Sequence, residues 1–241
     1  MKHISNVTLV AVATTEVEAI AKALEFSTRH LSFDRVLLLS HYNPEPGAST
    51  YEHIAIQPFS SVGEWGKFVV FELHRHIHTD HIILVHADGF IVNPQSWDDE
   101  FLKYDYIGAP WPLPKDDFSY RDHFGNIIRV GNSVSIRSLR LLKLPSAIGM
   151  VWEKCSHGYN YEDGFICTQN RHIFEKHGLA FAPLSVACRF SREKPIPENK
   201  GIEPFVFHKW EGANKHYPRF SAKALFGYQI RKVLQKIKQR I

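Results

Sequence analysis

Residues 82–94 read IILVHADGFIVNP. Ile82, Ile83, Leu84 and Val85 form a continuous apolar run, the pattern of a strand covered on both faces. The run ends in His86 and Asp88, with Gly89 directly after. In open α/β sheets, ligands sit beyond the carboxyl ends of the strands. Residues two apart on an extended chain point to the same side. An imidazole and a carboxylate are thus offered together at a strand end. They suit a borderline divalent ion such as Mn²⁺ better than Ca²⁺, and a diphosphate needs such an ion to neutralise its charge. The plainer reading is a turn at Asp88-Gly89 beside a satisfied histidine.

Working outward, NVTLVAVAT (6–14) predicts a strand and TTEVEAIAKALEFS a helix. Val17, Ile20, Ala21 and Leu24 recur at helical spacing, and Thr14 or Thr15 can cap that helix. RVLLLS (35–40) is the next strand, so the chain opens β-α-β, which favours a parallel sheet. HIAIQP predicts a short strand. SVGEWGKFVVFELHRHIH (61–78) predicts a longer helix with a Ser61/Glu64 capping box. DYIGAP (105–110) and the strand in IIRVGNSVSIRS follow, separated by an aromatic loop holding Trp111, Phe118, Tyr120 and Phe124. LRLLKLPSAI reads as a short helix stopping near Pro145. YEDGFICTQNRHIFEKHG (161–178) reads as a helix closed by Gly178. LAFAPLSVACRFS and EPFVFHKW are expected as late strands, joined by the loop SREKPIPENKG. The expected class is α/β: a nucleotide-binding βαβ array with a mixed, mostly parallel sheet flanked by helices.

With 241 residues, 44% of them apolar, a sizeable core is affordable and global disorder is excluded. No apolar stretch approaches the length of a membrane span, and MKHISNVTLVAVATTEVEAI lacks signal-peptide order. Cys155, Cys167 and Cys188 show neither zinc spacing nor a disulfide framework. They are expected as free thiols in the cytoplasm.

The net charge of +4 conceals an asymmetry. After Glu211 come eight basic residues and no acid; the rest of the chain carries 21 basic against 25 acidic residues. A mildly acidic body argues against nucleic-acid binding. The basic end points to a separate partner. In FSAKALFGYQIRKVLQKIKQRI, apolar residues recur at helical spacing with Lys and Arg on the other faces. The expected organisation is one domain over 1–220 and a basic amphipathic helix over 221–241. That helix either packs on the domain or lies on an anionic inner-leaflet surface.

Three further constellations carry chemistry. His208 follows the apolar run of PFVFHKWEG; if that strand end lies near Asp88, His208 becomes a third ligand and Lys209 a cation for phosphate. Glu162 and Asp163 in YNYEDGFI sit at a helix start, where the dipole accommodates acids; either can serve as general base toward an acceptor hydroxyl. In RVGNSVSIRS, Gly131 allows close backbone approach, while Asn132 and Ser133 can bond sugar hydroxyls. The histidines of HRHIHTDH read as a solvated helix end. G-x-G-x-x-G, the P-loop and H-E-x-x-H are all missing, which disfavours a dinucleotide oxidoreductase and a P-loop enzyme.

HADGFIVNPQSWDDEFLKYDYIGAPW (86–111), then VGNSVSIRS and YEDGFI, resembles a bacterial family of formally unknown function whose members are regarded as GT-A-fold glycosyltransferases. The resemblance covers roughly residues 60 to 210, and YDYIGAPW is its most specific piece. It implies a nucleotide-sugar donor at the first βαβ unit, with Thr14 and Thr15 at the nucleotide's end of the cleft. It implies a D-x-D motif holding a divalent metal, Mn²⁺ or Mg²⁺, and the donor diphosphate. Here that motif is His86-Ala87-Asp88, with histidine in the first place; His86 then binds metal directly or orients a water. His208 resembles the late-strand metal histidine of some GT-A enzymes. The acceptor-side carboxylate falls on Asp163, with Glu162 second. Ser133 stands where the family usually shows a second glycine. The implied activity is sugar transfer to a glycan or lipid-linked glycan in envelope polysaccharide synthesis; the basic helix, if it lies on lipid, would place this cytoplasmic chain at the inner face of the membrane. A catalytically silent sugar-binding domain is the alternative. A nucleotidyltransferase ranks third, because AVATTEVEA (11–19) has no glycine and no basic residue.

Overall fold

The computed structural model describes residues 1–47, 50–154 and 161–221. The tail from residue 222 onward lies outside them, and the helix expected there with it. Among the described residues, strands and helices follow in chain order: β1 (Lys2–Val12), α1 (Val17–Ser27), β2 (Leu31–Ser40), β3 (Glu52–Ala55), α2 (Val62–Phe71), β4 (His81–Val85), β5 (Tyr106–Pro110), β6 (Val130–Ser138), α3 (Leu139–Ala147), α4 (Glu162–Gly164), α5 (Arg171–Lys176), α6 (Leu184–Phe190), β7 (Ser191–Arg192) and β8 (Val206–Phe207).

Six strands form one sheet in the order β3-β2-β1-β4-β6-β5, and β7 pairs with β8 in a second. From β3 to β4 every pairing is parallel; β6 runs antiparallel to both β4 and β5. This is the mixed, mostly parallel sheet expected from the β-α-β opening. The alternation of β1 and β4 shows why their sequences are apolar throughout. Leu9, Ala11, Ile83 and Val85 pack with Ile20 and Leu24 of α1 on one face. Val10, Val12, Ile82 and Leu84 pack with Val69 of α2 and Leu73 on the other. Both faces are covered, so neither residue parity can be polar.

Ser61 caps α2 as expected: its Oγ accepts from Glu64 N–H at 3.2 Å. The Glu64 carboxylate returns to Ser60 N–H at 2.7 Å. Neither Thr14 nor Thr15 caps α1. Its N-cap is Glu16, in the left-handed region at φ 53°, with no side-chain cap. Thr14 Oγ1 instead accepts Phe59 N–H at 3.1 Å and ties the β1 exit to the chain entering α2.

Two late expectations are corrected. LAFAPLSVACRFS is mainly helix: Pro183 stands at the N-cap of α6, Phe181 makes a single parallel bridge to Tyr106, and β7 begins at Ser191. Val186, Ala187 and Phe190 present one helical face to the main core, so tertiary packing overrides the strand-like composition. The helix expected over 161–178 is broken. α4 runs into a π-helical turn at Phe165–Gln169, and Asn170 separates that turn from α5. Asn170 Nδ2 donates to Phe165 O at 3.1 Å, a side-chain bond that competes with a continuous helix.

The glycines of YDYIGAPW and VGNS explain each other. A Cβ on Gly108 would lie 1.9 Å from Gly131 O, and one on Gly131 would lie 2.0 Å from the Trp111 ring. Gly131 admits the Trp111 indole, not a ligand. β5 and β6 are thereby clasped beneath the site.

Candidate active site

β4 ends in a tight loop. His86 N–H donates to Gly89 O at 2.7 Å, and Gly89 N–H donates back to His86 O at 3.2 Å. Asp88 stands at its tip. A Cβ on Gly89 would lie 2.5 Å from Val134 Cγ2 and 2.8 Å from Phe207 O, so only glycine lets β8 pass this close. Lys209 N–H donates to Asp88 O at 2.7 Å and locks the crossing.

That crossing brings His208 to Asp88. Their Nε2 and Oδ1 are 3.6 Å apart, with the His208 side chain 12% and the Asp88 side chain 41% exposed. The His86 ring lies 5.8 Å from the His208 ring and 5.3 Å from Trp65. Trp65 is held by its Nε1 donating to Val12 O at 2.8 Å.

Electrostatics separates the two histidines. Burial, with His208 beside it, pushes the His86 imidazole down to about 4, so it is neutral. Burial also works against the His208 imidazolium, but Asp88 and Glu193 together outweigh it and hold His208 up to about 9. Burial alone would raise Asp88; the adjacent His208 instead keeps its carboxyl well below the usual range.

Glu193, just beyond β7, escaped sequence reading. It sits in a segment that reads as a strand running into a loop. No local pattern marked it, because Arg189, Ser191 and Arg192 interrupt the apolar run before it. It is buried, and Lys209 Nζ lies 2.7 Å from its Oε1. Asn132 Nδ2 donates to its Oε2 at 2.6 Å. Asn132 is itself buried at φ 107°, and its Oδ1 accepts Val134 N–H at 3.0 Å. Its amide thus bonds Glu193 and the backbone from a buried position. Ser133 is half-buried, and its carbonyl accepts from Ser135 Oγ at 2.8 Å.

Glu162 and Asp163 have opposite surroundings. Glu162 forms a 3.0 Å ion pair with Arg137, both side chains buried. Asp163 is half-buried and lines an open cleft of about 1110 Å³ with Tyr120, Trp111, Glu193 and Lys209. Desolvation, and then the Glu162 charge, push its carboxyl up to about 7. Tyr120 stacks on Trp111 at 4.8 Å. Thr14 and Thr15 lie at the end of β1 and are not among the cleft-lining residues.

The family described as "Protein of unknown function (DUF5672)" matches residues 51–208. The chain belongs to this family. The matched region holds Asp88, Asn132, Glu162, Asp163, Glu193 and His208. No curated protein matches the chain. Among solved structures, it is similar to a glycosyltransferase involved in the glycosylation of the major capsid of PBCV-1. That similarity has TM-score 0.50 and 11% identity, over 87% of this chain and 95% of the other. It is also similar to an active-site mutant of LgtC, with TM-score 0.49 and 13% identity over 92% and 94% of the two chains. The apo-form glycosyltransferase GlyE of Streptococcus pneumoniae TIGR4 gives TM-score 0.47 and 12% identity over 92% of this chain and 59% of that one. At these identities the likeness is one of fold: the sheet and its helices are GT-A-like.

The residues present fit a divalent ion only in part. Among the described residues no three His, Cys, Asp or Glu side chains are arranged around one point. Asp88 and His208 are near enough to share an ion, and His86 Nε2 is buried without a hydrogen-bond partner beside them. That donor set fits an ion completed by substrate phosphates rather than by an all-protein cage.

Proposed function

We propose that the chain is a glycosyltransferase that moves a sugar from a nucleotide donor to a hydroxyl of a glycan or lipid-linked glycan. The observation that carries this reading is the meeting of Asp88 and His208 across two elements at the carboxyl end of β4. In GT-A-like sheets that edge faces the ligand crevice.

Asp88 and His208 would hold a divalent ion, Mn²⁺ or Mg²⁺, which when bound supplies charge neutralisation for the departing diphosphate. Lys209, half-exposed beside them, adds a fixed cation for the same phosphates. His86 is neutral and half-buried, so it binds the ion directly or orients a water and adds no charge. Asp163 faces the cleft with its pKa near 7, where a general base can both accept the acceptor's proton and be ionised beforehand. Glu162 is committed to Arg137 and shapes Asp163 instead of replacing it. Thr14 and Thr15 remain assigned to the nucleotide's end of the crevice.

A sugar-binding domain without turnover is the second reading. It is favoured by the histidine in the first D-x-D place and by the missing three-ligand set among the described residues. Incubating the full chain with UDP-, GDP- and CMP-sugars plus Mn²⁺ separates the two. Slow release of nucleotide supports the transferase. Ligand-raised melting temperature without release supports the silent domain. Neither effect with any donor overturns both.

A further inference from the structure

Glu193 is a buried carboxylate with no catalytic freedom left. One oxygen holds Lys209 Nζ at 2.7 Å. The other accepts from Asn132 Nδ2 at 2.6 Å and faces His208 Nδ1 at 3.9 Å, within ion-pair range but beyond hydrogen-bond distance. Both oxygens being engaged, it is neither a nucleophile nor a base. Its own place is over-determined. β7 and β8 are parallel with Arg192 opposite Phe207, so Glu193 and His208 are the next pair in register. His208 N–H donates to Arg192 O at 3.0 Å, and Arg192 Nε is anchored on Asn214 Oδ1 at 3.0 Å. Asn132, which reaches Glu193 from β6, stands at φ 107°, a conformation rare for any residue but glycine. Strain of that kind persists where surrounding structure enforces it.

The consequence is geometric. With Glu193 on its Nδ1 side, the His208 ring presents Nε2 to Asp88. The same carboxylate fixes the ammonium of Lys209. We propose that Glu193 is the positioning carboxylate of the donor site, holding His208 and Lys209 in the places where a divalent cation and a nucleoside diphosphate meet them. This rests on the donor-site reading above. It follows the general pattern in which a carboxylate orients the far nitrogen of a metal-binding imidazole.

The test titrates Mn²⁺ into the full chain with uridine diphosphate or guanosine diphosphate, by calorimetry and by spin-echo detection of imidazole nitrogen coupled to Mn²⁺. Once affinities are corrected for the proton that His208 releases, Glu193→Gln is expected to weaken ternary Mn²⁺ binding by about 10–100-fold and to reduce the nitrogen coupling, while circular dichroism stays that of the parent. A merely structural glutamate would not alter the coupling of metal that still binds. If Glu193→Gln does not fold, Glu193→Asp, which keeps the charge but withdraws it from His208, carries the same expectation. Unchanged affinity and coupling in a folded variant overturn this inference alone. Absence of Mn²⁺ binding by the parent chain with either nucleotide overturns the donor-site reading, and this inference with it.

Discussion

Arg137 Nη2 and Glu162 Oε1 lie 3.0 Å apart with both side chains buried, directly beside the carboxylate that faces the cleft. Arg137 also donates from Nε to Ser135 Oγ at 2.9 Å, yet its Nη1 has no hydrogen-bond partner. Such a pair contributes little net stability, but breaking it leaves a bare charge in the core. Arg137→Met or Glu162→Ala alone should cost roughly 3–5 kcal/mol. A double replacement by apolar residues should cost less than either. Urea unfolding of the three variants checks this; additive losses would mean the two residues do not act as a pair.

Asp163→Asn should lower turnover by about 10²–10⁴-fold with little change in donor affinity, as expected for general-base loss. The pH dependence has a definite sign. Asp163 must be ionised to accept a proton, and burial lifts it to about 7. The rate should therefore rise with pH through about 7 and level above it. Glu162→Gln removes the neighbouring negative charge, so the limb should move to lower pH. A rate already flat below pH 6 in the parent would remove Asp163 from the base role.

How far the sequence carried these assignments depends on whether the signal was local. β1 and β4 were legible because strands covered on both faces must be apolar at every position. His86, Asp88 and His208 were legible because charge ended apolar runs. Glu193 was not, since its meaning depends on a two-residue parallel register with β8 that no local pattern encodes. The bond from Asn132 to Glu193 was not legible for the same reason: its partner lies 61 residues ahead. α6 was misread because its apolar composition suits strand and buried helix equally.

The glycine clasp gives a prediction about folding alone. Gly108→Ala would place a methyl 1.9 Å from Gly131 O, a backbone atom that cannot swing aside. Gly125→Ala meets nothing within 4 Å, although its φ of 85° carries its own strain. Gly108→Ala should cost 1–3 kcal/mol or more through overpacking, and Gly125→Ala about 1 kcal/mol through the left-handed backbone. Thermal melts that rank them in the opposite order would refute the clasp.

The basic tail, outside the described residues, carries a charge prediction. Each Lys or Arg near an anionic surface adds roughly 1 kcal/mol before screening, and the acidic body adds none. The full chain should co-sediment with phosphatidylserine vesicles at low salt and leave them at high salt. A chain ending at Ser221 should stay in solution. Equal behaviour of the two would end the membrane proposal.

His208 joins metal binding to pH. Asp88 and Glu193 hold its imidazolium up to about 9, whereas a metal needs the neutral ring. Without metal, the stability gained from the charged ring is complete below pH 6.5 and should fade as pH rises through 9, because the folded form then gives up its proton. Metal binding should show the reverse trend. Between pH 7 and 9, Mn²⁺ affinity with a nucleoside diphosphate should grow by about tenfold per unit, each binding event releasing one proton. Asp88→Asn should abolish metal-dependent nucleotide binding with the fold intact. His208→Ala should weaken it less and flatten the pH dependence, because the proton that competes with the ion is gone. Calorimetry in buffers of different ionisation enthalpy counts that proton directly. Affinity that ignores pH, or an Asp88→Asn variant that binds like the parent, would show that the ion is held elsewhere or not at all.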